Sequence, residues 1–416
     1  MGPHYDALET RDPAERERAL FDALPLHLEQ ARAASPYLAR VLRGIASRDV
    51  TSRAALAALP LTRKSDLAEL QRAAPPFGGL NATPPARLAR IFMSPGPIFD
   101  PEGSVPDYWR TARALFAAGF RAGEVALNCF SYHLTPAGSM FETGLRHLGC
   151  AVIPGGVGQT EMQAQAIAQL APAGYVGTPS FLKLILEKAD ELGLATPSLV
   201  RAQLSGEAFM PPVRAFLAAR RIAAFQAYGT ADLGVVAYET EARAGLVASE
   251  DVIVEIVRPG TGEPVADGEV GEVVVTPLNV DYPLVRFATG DLSAVLPGAS
   301  PCGRTNLRLR GWMGRADQAT KVRGMFVHPH QVAEVLRRHG LARGRLTVDN
   351  EAGEDRMTLA VEHPGGDAAL AAALGATLRE VTKVRGAVAW AAPGSLPNDG
   401  KVIDDARRYS PDGRQG

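Results

Sequence analysis

Val125-Ala126-Leu127-Asn128-Cys129-Phe130, followed at once by Ser131-Tyr132-His133-Leu134-Thr135-Pro136, is the stretch on which the fold turns. An apolar run of strand length gives way to a polar loop and then to helical spacing, the change of period that marks a strand feeding a helix. The same alternation extends in both directions, from near residue 105 to near residue 230. Upstream, the spacing predicts a helix over Val105–Phe120. Downstream, Thr135 is placed to cap the next helix with Pro136 in its first turn. A strand at Ala151–Pro154 follows, and Thr160 with Gln163 three residues on reads as a capping box for a helix over Glu161–Leu170. Gly174–Gly177, Ala202–Ser205 and Ala223–Tyr228 read as further strands, separated by helices near 180–192 and 211–220. Strands alternating with helices predict an α/β domain in which right-handed crossovers build a doubly wound sheet.

Past residue 247 the period changes again, to alternating valines in Val252–Val257 and Val270–Val275, joined by Gly260, Gly262 and an Asp267-Gly268 turn signal. This section is expected to be antiparallel. A smaller α+β unit begins near 318, with a helix over Pro329–Arg338, a strand pair Arg345–Asp349 and Thr358–Glu362, a helix over Ala368–Val381 and a strand at Ala387–Ala391. The expectation is therefore a large N-terminal domain, 1–317, with doubly wound sheets and an antiparallel β section, and a small C-terminal lid domain, 318–416. The first hundred residues have helical spacing and say little about chemistry.

Bulk numbers narrow the function classes. With 416 residues, 46% of them hydrophobic, the chain can bury a large core in two domains. Acidic and basic side chains number 45 and 44, so no field gathers polyanions and nucleic-acid binding is not expected. Cys129, Cys150 and Cys302 are odd in number and widely spaced, which suits neither a disulfide framework nor zinc knuckles. They read as reduced packing residues. No apolar run reaches membrane-spanning length, and the expectation is a cytoplasmic protein with no membrane partner. Self-association into a homodimer stays open.

Several short stretches could carry chemistry. Gln226-Ala227-Tyr228-Gly229-Thr230-Ala231-Asp232 ends a predicted strand, as does Ser205-Gly206-Glu207-Ala208. Taken singly, each is a strand-end turn that needs glycine for space. Ligands of open α/β sheets do collect at the carboxyl ends of strands, which makes both candidates for one crevice. Thr289-Gly290-Asp291 follows, and then Gly314-Arg315-Ala316-Asp317 with Lys321, Gly324 and Pro329. Near the end, Leu396-Pro397-Asn398-Asp399-Gly400-Lys401 is a strong turn signal carrying a lysine. Alone, Asp291, Arg315 and Lys321 could be solvated charges, and Lys401 an exposed turn residue.

In order, these stretches resemble the adenylate-forming superfamily from about residue 88 to 402. Pro329-His330-Gln331-Val332-Ala333-Glu334 and Cys150-Ala151-Val152-Ile153-Pro154-Gly155-Gly156 are most similar to its phenylacetate–coenzyme A ligase branch. The resemblance implies that ATP activates a carboxylate as an acyl-adenylate, which is then passed to coenzyme A. It implies that Tyr228 stacks on adenine, that Gly206, Glu207, Ala208 and Gly229 line the nucleotide, and that Asp232 holds magnesium where relatives carry Glu. The hydroxyl position of the motif falls on Ala231, with Thr230 the neighbouring substitute. Asp291 would accept from the ribose hydroxyls beside Arg315, Asp317 would be the hinge of the lid, Gly324 would face the thiol channel, and Lys401 would neutralise the carboxylate and phosphate during adenylation.

The likeness breaks at the phosphate loop. Relatives use Ser, Thr and Gly with a lysine, whereas Ser94-Pro95-Gly96-Pro97-Ile98-Phe99-Asp100-Pro101-Glu102-Gly103 has three prolines and two carboxylates expected to repel a polyphosphate. Residues 235–255 contain no cysteine, so the zinc site of some relatives is not expected. The acyl pocket is expected at Phe130, Tyr132 and His133 with Phe141, receiving a small aromatic or short hydrophobic acid. The leading expectation is an ATP-, magnesium- and coenzyme A-dependent acid–thiol ligase. An adenylating enzyme with another acceptor and a catalytically silent nucleotide-binding homologue are the alternatives.

Overall fold

The structure is a computed structural model that describes residues 2–316, 318, 320–322, 325–351 and 354–407. By contact, the chain divides into two compact units: residues 1–254, 274–289 and 295–312, and residues 255–273, 290–294 and 313–416.

The first unit is built on a nine-stranded mixed sheet. Its parallel part runs in the order Ala223–Thr230, Arg201–Leu204, Gly174–Gly177, Val125–Asn128, Ala151–Pro154. Gly234–Glu239 and Leu246–Ala248 continue it antiparallel on the other side of Ala223–Thr230. Neighbouring side chains on these strands go to opposite faces: Ala126, Val176 and Phe225 enter one core with Phe141 and Leu145, while Leu127, Tyr175 and Ala224 enter another with Ile167, Ile185 and Leu217. Both faces are covered by helices, which is why the strands read as continuous apolar runs.

The crossover helices match the expected ones, at Ala137–His147, Thr160–Leu170, Pro179–Glu191 and Pro211–Ala219. Three local expectations are corrected. The helix placed at Val105–Phe120 covers only Thr111–Ala117, because Arg110 turns left-handed (φ 59°) and Asp107 caps the start, accepting from the amides of Thr111 and Ala112. Thr135 does not cap its helix; Pro136 stands at the cap position and the Thr135 hydroxyl turns back to the Ser131 carbonyl. Nor is there a capping box at Thr160, because Gln163 donates instead to the Gly155 carbonyl at 2.7 Å.

Val252–Val257 and Gly271–Pro277 are the expected β section, and every residue in both is buried. In the second unit a four-stranded sheet runs in the order Ala387–Ala391, Glu354–Glu362, Gly344–Glu351, Ile403–Asp405. Helices Pro329–Arg338 and Ala368–Thr382 close its core through Val332, Val335, Leu374 and Leu378. Cys129 and Cys150 are buried and Cys302 is half-buried, all three as free thiols. No helix among the described residues is long and apolar enough to cross a membrane.

Candidate active site

Within the first unit, the expected nucleotide segments do lie at the carboxyl ends of adjacent parallel strands. The Tyr228 hydroxyl donates to Thr289 Oγ1 at 3.2 Å. Pairing with the next strand slips between Tyr228 and Gly229, and a side chain at Gly229 would put its Cβ 2.4 Å from the Gly234 carbonyl oxygen. A glycine is therefore required at this bulge, which re-aims the tyrosine. Thr230 Oγ1 accepts from the Leu233 amide and closes the turn that follows. One strand over, Ser205 donates to the Ala227 carbonyl at 2.8 Å, tying its loop to the Tyr228 strand. Gly206, Glu207 and Ala208 are exposed there. Glu207 accepts from the Ser180 amide at 2.6 Å, a carboxylate on the positive end of helix Pro179–Glu191.

Asp232, the expected magnesium ligand, is paired within the chain. Its side chain is wholly buried, and Lys64 Nζ sits 2.5 Å from Oδ2. Asp100 is buried as well, and burial first, then the Asp232 charge, push it well above the usual carboxylate range. Magnesium demands octahedral oxygen ligands and keeps several waters. Lys64 takes one oxygen of Asp232, while Asp232 Oδ1 and both Asp100 oxygens are buried acceptors with no hydrogen-bond partner among the described residues. Among the described residues, no group of three or more His, Cys, Asp or Glu is placed to hold a metal.

The expected repulsion by Asp100 and Glu102 is also corrected. The segment is a β-hairpin, Arg90–Ser94 against Ile98–Glu102. Asp100 points into the core, and Glu102 is buried against Arg90 at 2.7 Å. Neither presents a charge to a ligand.

Of the expected acyl-pocket residues, Phe130 and Phe141 stack at 5.0 Å between centroids and belong to the core. Tyr132 is half-buried, its hydroxyl accepting from Asn128 Nδ2 at 2.8 Å, and His133 is exposed. Phe130 borders the loop at Gly206, where a Cβ would stand 3.5 Å from its ring.

In the second unit, Asp291 and Arg315 come together, 2.9 Å apart and joined by a backbone bridge. Gly290 has a positive φ, and a Cβ there would meet the Arg315 guanidinium at 2.6 Å. Lys401 is half-exposed and bonded to Asp404 at 2.8 Å, and with Arg258, His330 and Arg345 it lines a cavity of 590 Å³. Asp317 and Gly324 lie outside the described residues.

The family model described as AMP-binding enzyme matches residues 109–280. A phenylacetate–coenzyme A ligase of Aromatoleum evansii is 33% identical over 339 residues, 77% of this chain and 75% of the relative. That of Escherichia coli K12 is 31% identical over 86% of this chain and 84% of its own length. The chain belongs to the phenylacetate–coenzyme A ligase family. As a member, it is an AMP-forming ligase that joins an acid to coenzyme A by way of an acyl-adenylate. An open conformation of 2-hydroxyisobutyryl-CoA ligase, solved with 2-HIB-AMP and CoA, is similar in fold, with a TM-score of 0.72 and 25% identity over 95% of this chain and 92% of that one. Sequence reading missed Lys64 in this family member, since its partner lies 168 positions away and no local period points to it.

Proposed function

We propose that this ligase acts on a small aromatic or short hydrophobic carboxylate, with ATP as the adenylate donor and coenzyme A as acceptor. The observation that carries the reading is the likeness to phenylacetate–coenzyme A ligases over three quarters or more of both chains. Residue roles follow from chemistry and position. Tyr228, aimed by the bulge at Gly229, is assigned to the adenine, with the backbone of Gly206–Ala208 beside it. Asp291 and Arg315 form an acceptor–donor pair suited to ribose hydroxyls. Lys401 is a flexible point charge suited to meeting the carboxylate and α-phosphate as they approach, and its bond to Asp404 is an exposed pair that is cheap to exchange. Asp317 is assigned to the hinge and Gly324 to the thiol channel. The test is product analysis with phenylacetate and a panel of aromatic and short aliphatic acids. AMP, pyrophosphate and acyl-CoA should appear together and in equal amounts, dependent on acid and thiol. Formation of ADP, or thioester from none of these acids, would overturn the reading.

A further inference from the structure

A lysine on a flexible stem reaches a target reliably only from a fixed root, and the turn that carries Lys401 is held from two sides. Arg345 bonds Asp399 at 2.7 and 2.9 Å and Asp404 at 2.8 Å. These acids in turn take the Lys401 amide at 3.1 Å and its ammonium at 2.8 Å. Gly400 between them has a φ of +72°, and a Cβ there would stand 2.6 Å from the Val270 side chain. The second hold comes from the half-buried Gln318. Its Oε1 accepts from the amides of Val402 and Ile403 at 2.5 and 2.7 Å, and its Nε2 donates to the Gly400 carbonyl at 2.9 Å. Lys401 sits inside the loop that these three bonds close. Ile403–Asp405 is an edge strand of its sheet, and a side chain rather than a further strand takes the two amides. A carboxamide offers acceptor and donor at once, whereas a carboxylate offers only the first. Gln318 also directly follows Asp317, the residue assigned to the hinge.

We propose that Gln318 is a positioning residue for Lys401: its carboxamide ties the lysine turn to the first residue past the hinge, so that the ammonium travels with the chain that leaves Asp317. This rests on the adenylation role assigned to Lys401. Misplacing a reacting group by about 1 Å can cost roughly a hundredfold in rate, and a turn released from Gln318 is free to shift its lysine by that much.

Gln318→Met keeps the chain length and removes all three bonds, while Gln318→Glu keeps the acceptor for both amides and loses the bond to the Gly400 carbonyl. Acid-dependent pyrophosphate exchange and thioester formation from a supplied acyl-adenylate are measured for each, alone and combined with Lys401→Ala. Gln318→Met should slow exchange about ten- to a hundredfold, leave thioester formation within about twofold of wild type, and add less than about twofold to the effect of Lys401→Ala. Gln318→Glu should fall between wild type and Gln318→Met. A side chain that merely caps the edge strand would weaken both reactions alike, or would slow exchange as much without Lys401 as with it, and either result overturns the proposal. Gln318→Met exchanging at the wild-type rate beside a slow Lys401→Ala also overturns it, and leaves the role of Lys401 standing. Lys401→Ala exchanging at the wild-type rate removes that role and the positioning with it. Near-ultraviolet circular dichroism establishes that each variant is folded; if Gln318→Met is not, Gln318→Glu is judged by the same comparisons.

Discussion

Replacing Asp291 with alanine tests the ribose assignment with a calculable effect. The carboxylate is nearly buried, and its ion pair with Arg315 ends on a guanidinium whose side chain is 52% exposed. An ion pair open to water on one side contributes about 0–1 kcal/mol to stability, so Asp291→Ala should leave the fold in place. Its cost should fall on the ligand. Hydrogen bonds from ribose hydroxyls to a carboxylate are charge-assisted, and their loss should weaken AMP binding by about 1.5–3 kcal/mol, or roughly ten- to 150-fold in dissociation constant. Isothermal titration with AMP measures this directly, and Asp291→Asn, which keeps one acceptor oxygen without the charge, should fall between wild type and alanine. A folded Asp291→Ala that binds AMP as wild type does would remove Asp291 from the nucleotide site and refute the reasoning that placed it there.

Three further outcomes are expected. Lys401→Ala should slow acid-dependent pyrophosphate exchange by about a hundred- to a thousandfold while sparing thioester formation from a supplied acyl-adenylate; equal loss in both assays would contradict the role. Gly229→Ala should lower thermal stability, since its Cβ would stand 2.4 Å from a backbone carbonyl oxygen that cannot swing aside, a clash costing about 1–3 kcal/mol; an unchanged melting midpoint would show that the bulge is not tight. His27 is buried with no partner for Nε2 among the described residues, and burial lowers its pKa to about 4. It is neutral in the folded state and charges first in the unfolded one, so its contribution is present above pH 6.5 and lost as pH falls toward 4, at about 3 kcal/mol in all. Denaturant melts from pH 7 to 4 should show a shallower acid slope for His27→Leu than for wild type, and equal slopes would count against it.

Much of the fold is legible in the sequence because periodicity reports burial locally. Val125–Asn128, Gly174–Gly177 and the crossover helices each carry their own pattern, and Pro329–Arg338 and Ala387–Ala391 fall on the residues expected. The misplaced starts share a cause: at Asp107 and Gln163 a side chain bonds elsewhere, and no propensity encodes which partner wins. Order of motifs was enough to single out Tyr228, Asp291 and Arg315 as candidates. What it could not supply is the surroundings of Asp232. Lys64 and Asp100 reach it from distant parts of the chain, and only tertiary structure gives the expected metal ligand an ammonium partner.

The central claim is that the acid is activated through its own oxygen attacking the α-phosphorus of ATP. Phenylacetate labelled with ¹⁸O in the carboxylate, incubated with the enzyme, ATP and coenzyme A, tests it by mass spectrometry of the released nucleotide. One labelled oxygen per turnover should appear in AMP, and the acyl-CoA should keep the other. Unlabelled AMP, or label recovered in inorganic phosphate beside ADP, would contradict an acyl-adenylate intermediate and with it the account given for this chain.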